Sequence, residues 1–348
     1  MSTNAKRAIA IGAGVVVLAV GAFLLLTNRD GGPLDGLPIV GDDEPETCPL
    51  SGEEPGKESA LDRPAVGLKI ENNPAAYPLS GLEEAEVVYE EPVEGGLSRF
   101  LAIYHCTDAA QAGPVRSARI VDPAILLPYT HILGAAGGND IVRAALDEAE
   151  LVVIDETGAG TAMSRVERPG VSSEHTLYGD TAAIRKLGRK DFDEPPSEVF
   201  TFGDAEGTGK KATTITITFS LGNVVSFEWK EGRWYRIDNG QPLIGEGGDQ
   251  FAADNVLIEE HTVNFAEGIS DVIGAPSPEI EDVTGSGRAV LFRDGRAFKG
   301  TWTRESEEDR VVFETTAGDE MVLKEGTTWI ELVPDDKGDL KGSFEYAK

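Results

Sequence analysis

The residues best suited to chemistry are two arginines around a serine: Arg116, Ser117 and Arg119 follow a Gly-Pro turn. A guanidinium group presents paired donors that match the oxygens of carboxylate and phosphate, and the serine hydroxyl adds one more donor. In a chain with 61 acidic and only 31 basic residues, such a group forms a local positive site. The pattern therefore predicts a binding site for an anion.

Three glutamates lie close together in the sequence, at Glu90, Glu91 and Glu94. Paired carboxylates perform acid–base chemistry when their environments separate their pKa values. Because neighbouring residues of a strand point to opposite faces, Glu90 and Glu91 do not form such a pair with each other. The alternative is structural: the carboxylates are solvated, or they neutralise Arg116 and Arg119.

His131 and His175 are two of only four histidines in the chain. With Ser117 and Tyr178, a histidine would complete a set of groups for proton transfer. The alternative is a structural imidazole, since no pattern identifies a nucleophile. The chain has no GxSxG elbow, phosphate loop or dinucleotide fingerprint, and no zinc-type spacing of His and Cys. We therefore predict neither a cofactor nor a metal.

Gly137 and Gly138 precede Asn139, which is a predicted helix N-cap. Backbone N–H groups at a helix N-terminus bind anions, although a glycine pair also simply ends a strand. We expect the two arginines and Ser117 to face a common pocket near His131, Gly138 and Asn139. The candidate ligand-binding residues are Glu91, Glu94, Arg99, Arg116, Ser117, Arg119, His131, Gly138, Asn139, His175 and Tyr178.

The charge balance limits the classes of partner. The formal net charge is −30 and the sequence pI is about 4.4. A surface this acidic repels the phosphates of nucleic acids, so we expect no nucleic-acid partner. The acidic residues are spread along the chain and do not form a calcium-loop pattern, which argues against a calcium site.

An apolar run over residues 8–27 is long enough to span a membrane, since about 20 helical residues cross the hydrocarbon core. Lys6 and Arg7 precede the run, so the positive-inside rule predicts a cytoplasmic N-terminus and extracellular domains. The alternative is a cleaved signal peptide, which normally has a shorter apolar region and a small-x-small site. Outside the membrane, Cys48 and Cys106 could form a disulfide, a pairing whose geometry the sequence does not define.

Local patterns predict strands over 64–71, 86–90 and 99–106, and helices that begin after Asn139 and Asp180. Strands that alternate with helices indicate an α/β domain, and the later short strands with regular turns indicate a β-rich domain. The predicted fold class is thus one transmembrane helix, a layered α/β domain and a β-rich domain. The predicted segments are a cytoplasmic tip and anchor over 1–29, an acidic flexible tether over 30–61, an α/β domain over 62–205 and a β-rich domain over 212–345.

Several long phrases resemble the YerB-like family of bacterial envelope proteins. The first half contains ENNPAAYPLSGLEEAEVVYEEPVEGGLSRFLAIYH, GPVRSARIVDPAILLPYTHILGAAGG and EHTLYGDTAAIRKL, and the second half contains WYRIDNGQP, DNVLIEE, GRAVLFRDGRAFKGTW and LKEGTTWIELVP. The resemblance covers nearly all of residues 61–335 and implies an envelope location, a layered α/β first domain and no established reaction. Members are typically lipoproteins, whereas this chain has no cysteine directly behind its apolar run.

Two hypotheses of function follow. In the first, the chain is a non-enzymatic envelope protein, attached to the membrane by its N-terminal helix, that binds an anionic envelope ligand or a protein partner. In the second, it is an unrecognised hydrolase or transferase of the cell wall that uses His131 or His175 with Ser117 or a glutamate. A concave pocket lined by the arginines, a histidine and a carboxylate would favour the enzyme. Arginines held in internal ion pairs would favour binding through another surface.

Overall fold

The structure is a computed structural model that describes residues 46–205, 209–271 and 273–348. In the first half of the chain the strands are β1 Val66–Asn72, β2 Val87–Pro92, β3 Ser98–Tyr104, β4 Ile132–Gly134, β5 Val152–Ile154, β6 Met163–Arg165, β7 Leu177–Gly179, β8 Thr201–Phe202 and β9 Lys210–Lys211. In the second half they are β10 Thr214–Ser220, β11 Asn223–Lys230, β12 Arg233–Asp238, β13 Gln241–Pro242, β14 Ala252–Ala253, β15 Asn255–His261, β16 Val263–Ser270, β17 Pro276–Ile280, β18 Gly285–Arg293, β19 Arg296–Arg304, β20 Val312–Thr315, β21 Val322–Leu323, β22 Thr328–Pro334 and β23 Ser343–Ala347.

The helices are short and begin where the sequence predicts. The α-helices are α1 Asp122–Leu126, α2 Asp140–Glu148 and α3 Thr181–Gly188, and single 3-10 turns cover Glu58–Ala60, Pro74–Ala76, Leu82–Glu84, Glu94–Gly96, Gly160–Ala162 and Ser173–His175. The Asn139 side chain accepts a hydrogen bond from the Val142 N–H at 2.9 Å, and Asp180 accepts one from the Ala183 N–H at 2.9 Å. Each cap satisfies a free donor of the first helical turn, so both predicted helix starts are confirmed.

One large sheet joins both halves of the chain. Its strand order is β20-β19-β18-β15-β22-β2-β3-β1-β4-β5, with β9 beside β19. Strand β22, from near the C-terminus, lies between β15 and β2 and runs parallel to both. Strand β3 then pairs antiparallel with β2 and β1. Every residue of β1, β2, β3 and β22 is buried, because the sheet is covered on both faces.

The predicted fold class is wrong. Among the described residues, 42% lie in strands and 13% in helices, so the protein is mostly β rather than layered α/β. The alternation of strands and helices along the first half misled the prediction, because the helices are few and short and the strands of both halves join one large sheet. The decisive pairing, β2 with β22, joins residues so far apart in sequence that no local pattern indicates it.

The transmembrane helix of the predicted fold class also receives no support. Within residues 46–205, 209–271 and 273–348, the structure contains no helix with the length and apolar character needed to cross a membrane. The apolar run over residues 8–27 and most of the predicted tether lie outside the described residues.

A smaller sheet packs against one face of the large sheet. Its order is β13-β12-β11-β10-β23, with β14 beside β12. We call this face of the large sheet the sandwich face; it carries Val88 and Phe100, which share a core with Ile217 and Phe227 of the smaller sheet. We call the opposite face the helix face, because its residues pack with helices α1 and α2. Strands β1, β2 and β3 therefore carry buried polar side chains on both faces. One group lies on the sandwich face and the other on the helix face.

A buried charge cluster connects the two sheets on the sandwich face. Arg236 Nη1 lies 2.6 Å from Glu90 Oε2 and 3.3 Å from Glu331 Oε1, and its Nε lies 2.6 Å from Asp238 Oδ1. Three aromatic rings lie within cation–π distance of the guanidinium, those of Phe100 at 5.5 Å, Phe227 at 5.2 Å and Trp329 at 5.2 Å. Because Glu90 and Arg236 come from different halves of the chain, the cluster holds the halves together.

A disulfide between Cys48 and Cys106 ties the start of the described chain to the end of β3. The two Cα atoms are 6.1 Å apart and the bond closes a separation of 58 residues. Buried Glu86 lies beside this bond and accepts hydrogen bonds from the backbone of His105 and Cys106. The pairing that the sequence left open is therefore formed.

Candidate anion-binding site

The register of three adjacent strands builds the candidate site on the helix face. Arg99 on β3 lies opposite Glu71 on β1 and opposite Glu91 on β2. Residues directly opposite each other project from the same face of a sheet. Lys69, two residues before Glu71, projects there too. Four charged side chains thus lie side by side at one end of the buried face, where Asp122 of α1 meets them.

Lys69 forms a buried ion triad with Glu91 and Asp122. Its Nζ lies 2.5 Å from Glu91 Oε1 and 2.6 Å from Asp122 Oδ1, and all three side chains are almost fully buried. Burial raises the pKa of Glu91 to about 7, and the nearby Asp122 charge acts in the same direction, while Lys69 opposes it. One cation serves two carboxylates here, and the second oxygen of Glu91, Oε2, has no hydrogen-bond partner among the described residues.

Glu71 is shared between Arg116 and His175. Its Oε1 lies 3.2 Å from Arg116 Nε, and its Oε2 lies 2.7 Å from His175 Nδ1. The sequence reasoning missed Glu71, although a charged residue two positions after Lys69 within a buried strand was a usable signal. The shared contacts orient both predicted site residues. They also leave Glu71 without a contact to Arg99.

Arg119 is paired with Glu94, as the structural alternative anticipated. Arg119 Nε donates to Glu94 Oε2 at 3.0 Å, and Nη2 donates to the same oxygen. The Ser277 hydroxyl donates to the other oxygen of Glu94. Although burial acts in the opposite direction, these partners hold the pKa of Glu94 below its usual value. This pair links the loop after β2 to the segment before α1.

Arg99 has no carboxylate within ion-pair distance in the described part of the chain. The residue is only 8% exposed, and its Nη1 donates to the Ser117 carbonyl oxygen at 2.9 Å. Arg119 Nη1 donates to the same oxygen at 3.2 Å, so the two guanidinium groups are neighbours. Burial, followed by the positive charges of Arg119 and Arg116, lowers the pKa of Arg99 to about 9. The nearby charges of Glu94 and Glu91 act in the opposite direction. The site therefore holds a mostly buried guanidinium that, among the described residues, has no carboxylate in direct contact.

The remaining predicted residues lie around this cluster or away from it. Backbone hydrogen bonds join Ala118 to Gly137 at 2.8 Å, which brings the Gly138–Asn139 turn beside the arginines. The Gly138 carbonyl accepts from Arg143. His131 lies at the opposite end of β4, where its ring stacks on Phe192 with centroids 4.6 Å apart. Tyr178 accepts a hydrogen bond from Arg168 at 2.9 Å.

The geometry gives little support to acid–base catalysis at this site. The short contact of His175 with Glu71 would orient an imidazole. However, within the described residues no hydroxyl or thiol lies at hydrogen-bond distance from the His175 ring, and Ser117 contributes its carbonyl oxygen. The described grouping with metal-ligand spacing is Cys48, Glu86 and Cys106, and its two sulfurs are joined in the disulfide.

Most of the described chain is similar to known proteins. The N-terminal domain of a protein of unknown function, DUF3048, matches residues 50–193, and the C-terminal domain of that family matches residues 215–330. A Bacillus subtilis protein named putative lipoprotein YerB is 25% identical over 308 residues, which cover 83% of this chain and 86% of that protein. The crystal structure of YerB protein from Bacillus subtilis has a similar fold, with a TM-score of 0.69, 24% identity, and coverage of 85% of this chain and 98% of that chain.

Proposed function

The chain belongs to the YerB-like family of proteins of unknown function, and from that premise we propose that it is an extracytoplasmic binding protein for an anionic ligand. The ligand carries phosphate or carboxylate groups. Arg99 binds it, and Arg116 and Arg119, which Glu71 and Glu94 hold in place, supply further donors.

Two observations support a location outside the cytoplasm. Cys48 and Cys106 are joined in a disulfide, and such bonds persist in oxidising compartments and are rare in the cytosol. The Bacillus subtilis relative carries a name that describes a lipoprotein, a class attached to membranes. Both observations agree with an envelope location and neither depends on the anion site.

The single observation that carries the proposal is that, among the described residues, Arg99 has no carboxylate within ion-pair distance. Its two cross-strand neighbours are acidic, yet Glu71 contacts Arg116 and His175, and Glu91 contacts Lys69 through one of its two oxygens. A cation that is only 8% exposed and has no carboxylate in direct contact is costly to keep. An anion at this position would offset that cost and would raise the pKa of Arg99 back towards its usual range.

The chemistry of three guanidinium groups selects the ligand class. Planar forks match the paired oxygens of phosphate and carboxylate, and each charge-assisted hydrogen bond contributes about 1.5–3 kcal/mol. The net charge of −30 repels anions from the rest of the surface, so binding would be confined to this cluster. It would also be relatively insensitive to salt, because the main cation is buried.

The test is calorimetric titration of the full chain with inorganic phosphate and with citrate. Arg99→Met keeps the length and packing of the side chain and removes the charge. We expect it to weaken binding by about tenfold or more, which corresponds to the loss of one charge-assisted bond. Arg99→Lys keeps the charge but not the paired donors of the guanidinium group, and it should give an intermediate loss of affinity.

The matched control is Arg189→Met, which makes the same change in charge at an exposed i,i+4 pair with Asp193. It should bind like the parent chain. Circular dichroism should show that Arg99→Met remains folded, because Arg99 leaves no buried carboxylate unpaired when it is removed. The proposal is overturned if the parent binds neither anion, or if Arg99→Met and Arg189→Met have equal affinity.

A further inference from the structure

A cavity lies on the helix face, away from the arginine cluster. It has a volume of about 30 Å³, and its polar lining comes from Tyr89, Tyr129, Glu259, His261, Arg304 and Arg310. Glu259 lies opposite Leu332 of β22, and Tyr89 lies opposite Ile330 of the same strand, so both side chains project from one face. The volume is sufficient for one or two water-sized groups.

Glu259 carries an unused acceptor into this cavity. The residue is 3% exposed, and its Oε2 lies 3.1 Å from His261 Nε2. Its other oxygen, Oε1, is fully buried and has no hydrogen-bond partner among the residues that the structure describes. A buried carboxylate oxygen without a donor costs about 1–3 kcal/mol or more. A hydrogen-bond donor to Glu259 Oε1 is therefore missing from this cavity.

The neighbouring groups do not supply that donor. His261 Nδ1 is 3.1 Å from Asp282 Oδ1, so both ring nitrogens are already engaged. Arg304 donates through Nε to the Asp309 carbonyl oxygen and through Nη2 to the Glu307 carbonyl oxygen. The Tyr89 and Tyr129 hydroxyls lie 2.9 Å from each other.

A larger groove of about 670 Å³ adjoins the cavity. Four residues line both the cavity and the groove, and these are Val121, Ala124, Ile280 and Val283. The groove adds further apolar side chains from the segment around α1 and from α2. Four glutamates also line it, and these are Glu148, Glu279, Glu307 and Glu308. The inner cavity is lined by Glu259 and by three basic groups, His261, Arg304 and Arg310. Asp282 is paired with His261 and Glu320 with Arg310, so these six charges balance and the four groove glutamates set a net negative charge.

We propose that this groove docks a basic amphipathic peptide and that one of its lysine-type side chains places its ammonium group against Glu259 Oε1. The apolar walls would bury the apolar face of the peptide, and the glutamates would pair with its other cations. An ammonium group matches the water-sized inner cavity and supplies the missing donor. An acidic or neutral peptide would leave the groove carboxylates unpaired, so charge complementarity selects the basic one.

The probe is a fluorescein-labelled leucine–lysine peptide that forms an amphipathic helix, titrated with the full chain and followed by fluorescence anisotropy. A leucine–glutamate peptide of the same pattern is the comparison. We expect the parent chain to bind the lysine peptide and not the glutamate peptide. Added salt should weaken this binding, because the groove glutamates are near solvent.

Three variants locate the contact. Glu259→Gln replaces the acceptor with a carboxamide and should weaken binding about tenfold, whereas Glu345→Gln makes the same charge change on exposed β23 and should have no effect. Ala145→Arg places a bulky cation in the groove from the surface of α2 and should abolish binding even if Glu259→Gln proves unstable. The proposal is overturned if the two peptides bind equally, if the parent binds neither, or if Ala145→Arg binds like the parent.

Discussion

Replacing Arg236 with methionine removes the only cation from the centre of a buried acidic cluster within the described part of the chain. Glu90, Asp238 and Glu331 all contact its guanidinium, and Arg236 and Glu331 are fully buried. Methionine retains the apolar stem that packs near Trp329. The change therefore tests the charge of Arg236 more than its volume.

The magnitude follows from the carboxylates that lose their contact with Arg236. Burial, followed by the charge of Glu90, raises the pKa of Glu331 well above its usual value, which favours its protonated form. Breaking a buried ion pair by removal of one partner costs about 3–5 kcal/mol, because an unpaired charge is left behind. We expect Arg236→Met to lower the free energy of unfolding by that amount. Glu331→Gln, which mimics the protonated acid, should change it by less than about 1 kcal/mol.

The assay is urea unfolding followed by far-ultraviolet circular dichroism, with the disulfide intact. Tryptophan fluorescence is unsuitable because Trp329 lies 5.2 Å from the guanidinium and would report its removal directly. Arg236→Met should recover stability at about pH 5 relative to about pH 8, since protonation then neutralises the unpaired acids. Adding Glu90→Gln should recover part of the loss at either pH. If Arg236→Met is as stable as the parent at both pH values, the cluster does not hold the two sheets together and the reasoning is refuted.

Three further outcomes are expected. Cys48→Ser with Cys106→Ser should lower stability by about 4 kcal/mol in thermal unfolding, because the disulfide closes a separation of 58 residues; an unchanged melting temperature would contradict this. Burial lowers the pKa of His261, but hydrogen bonds to its two acidic partners raise it to about 9, above its usual 6.5. The folded-state pKa of His261 is the higher one, so protonated His261 stabilises the folded protein by about 3 kcal/mol below pH 6.5, and this contribution is lost as the pH rises through about 9. When denaturation is measured at several pH values, His261→Gln should show no such loss. A Cβ at Gly300 would overlap the Glu314 carbonyl oxygen, so Gly300→Ala should break the pairing of β19 with β20, and retained hydrogen-exchange protection there would disprove the clash.

Individual strands and helix starts were predictable because the sequence patterns that indicate them span only a few residues. Alternating apolar residues placed β1, β2 and β3, and the side chains of Asn139 and Asp180 defined the starts of two helices. The period of a strand also placed Glu90 and Glu91 on opposite faces, where the structure has them paired with Arg236 and Lys69. These features depend on backbone geometry and on contacts close in sequence.

The sequence by itself also determined the family, the acidic charge and the presence of a clustered pair of arginines. Only the tertiary structure decided that β22 enters the sheet beside β2, which makes the protein mostly β, and that Cys48 meets Cys106. It likewise decided that Glu71 and Glu91 contact other cations and that, among the described residues, Arg99 has no carboxylate within ion-pair distance. The physical reason is the same in each case. Contacts between residues far apart in the chain are selected by the burial and pairing of the whole molecule, and no local pattern records them.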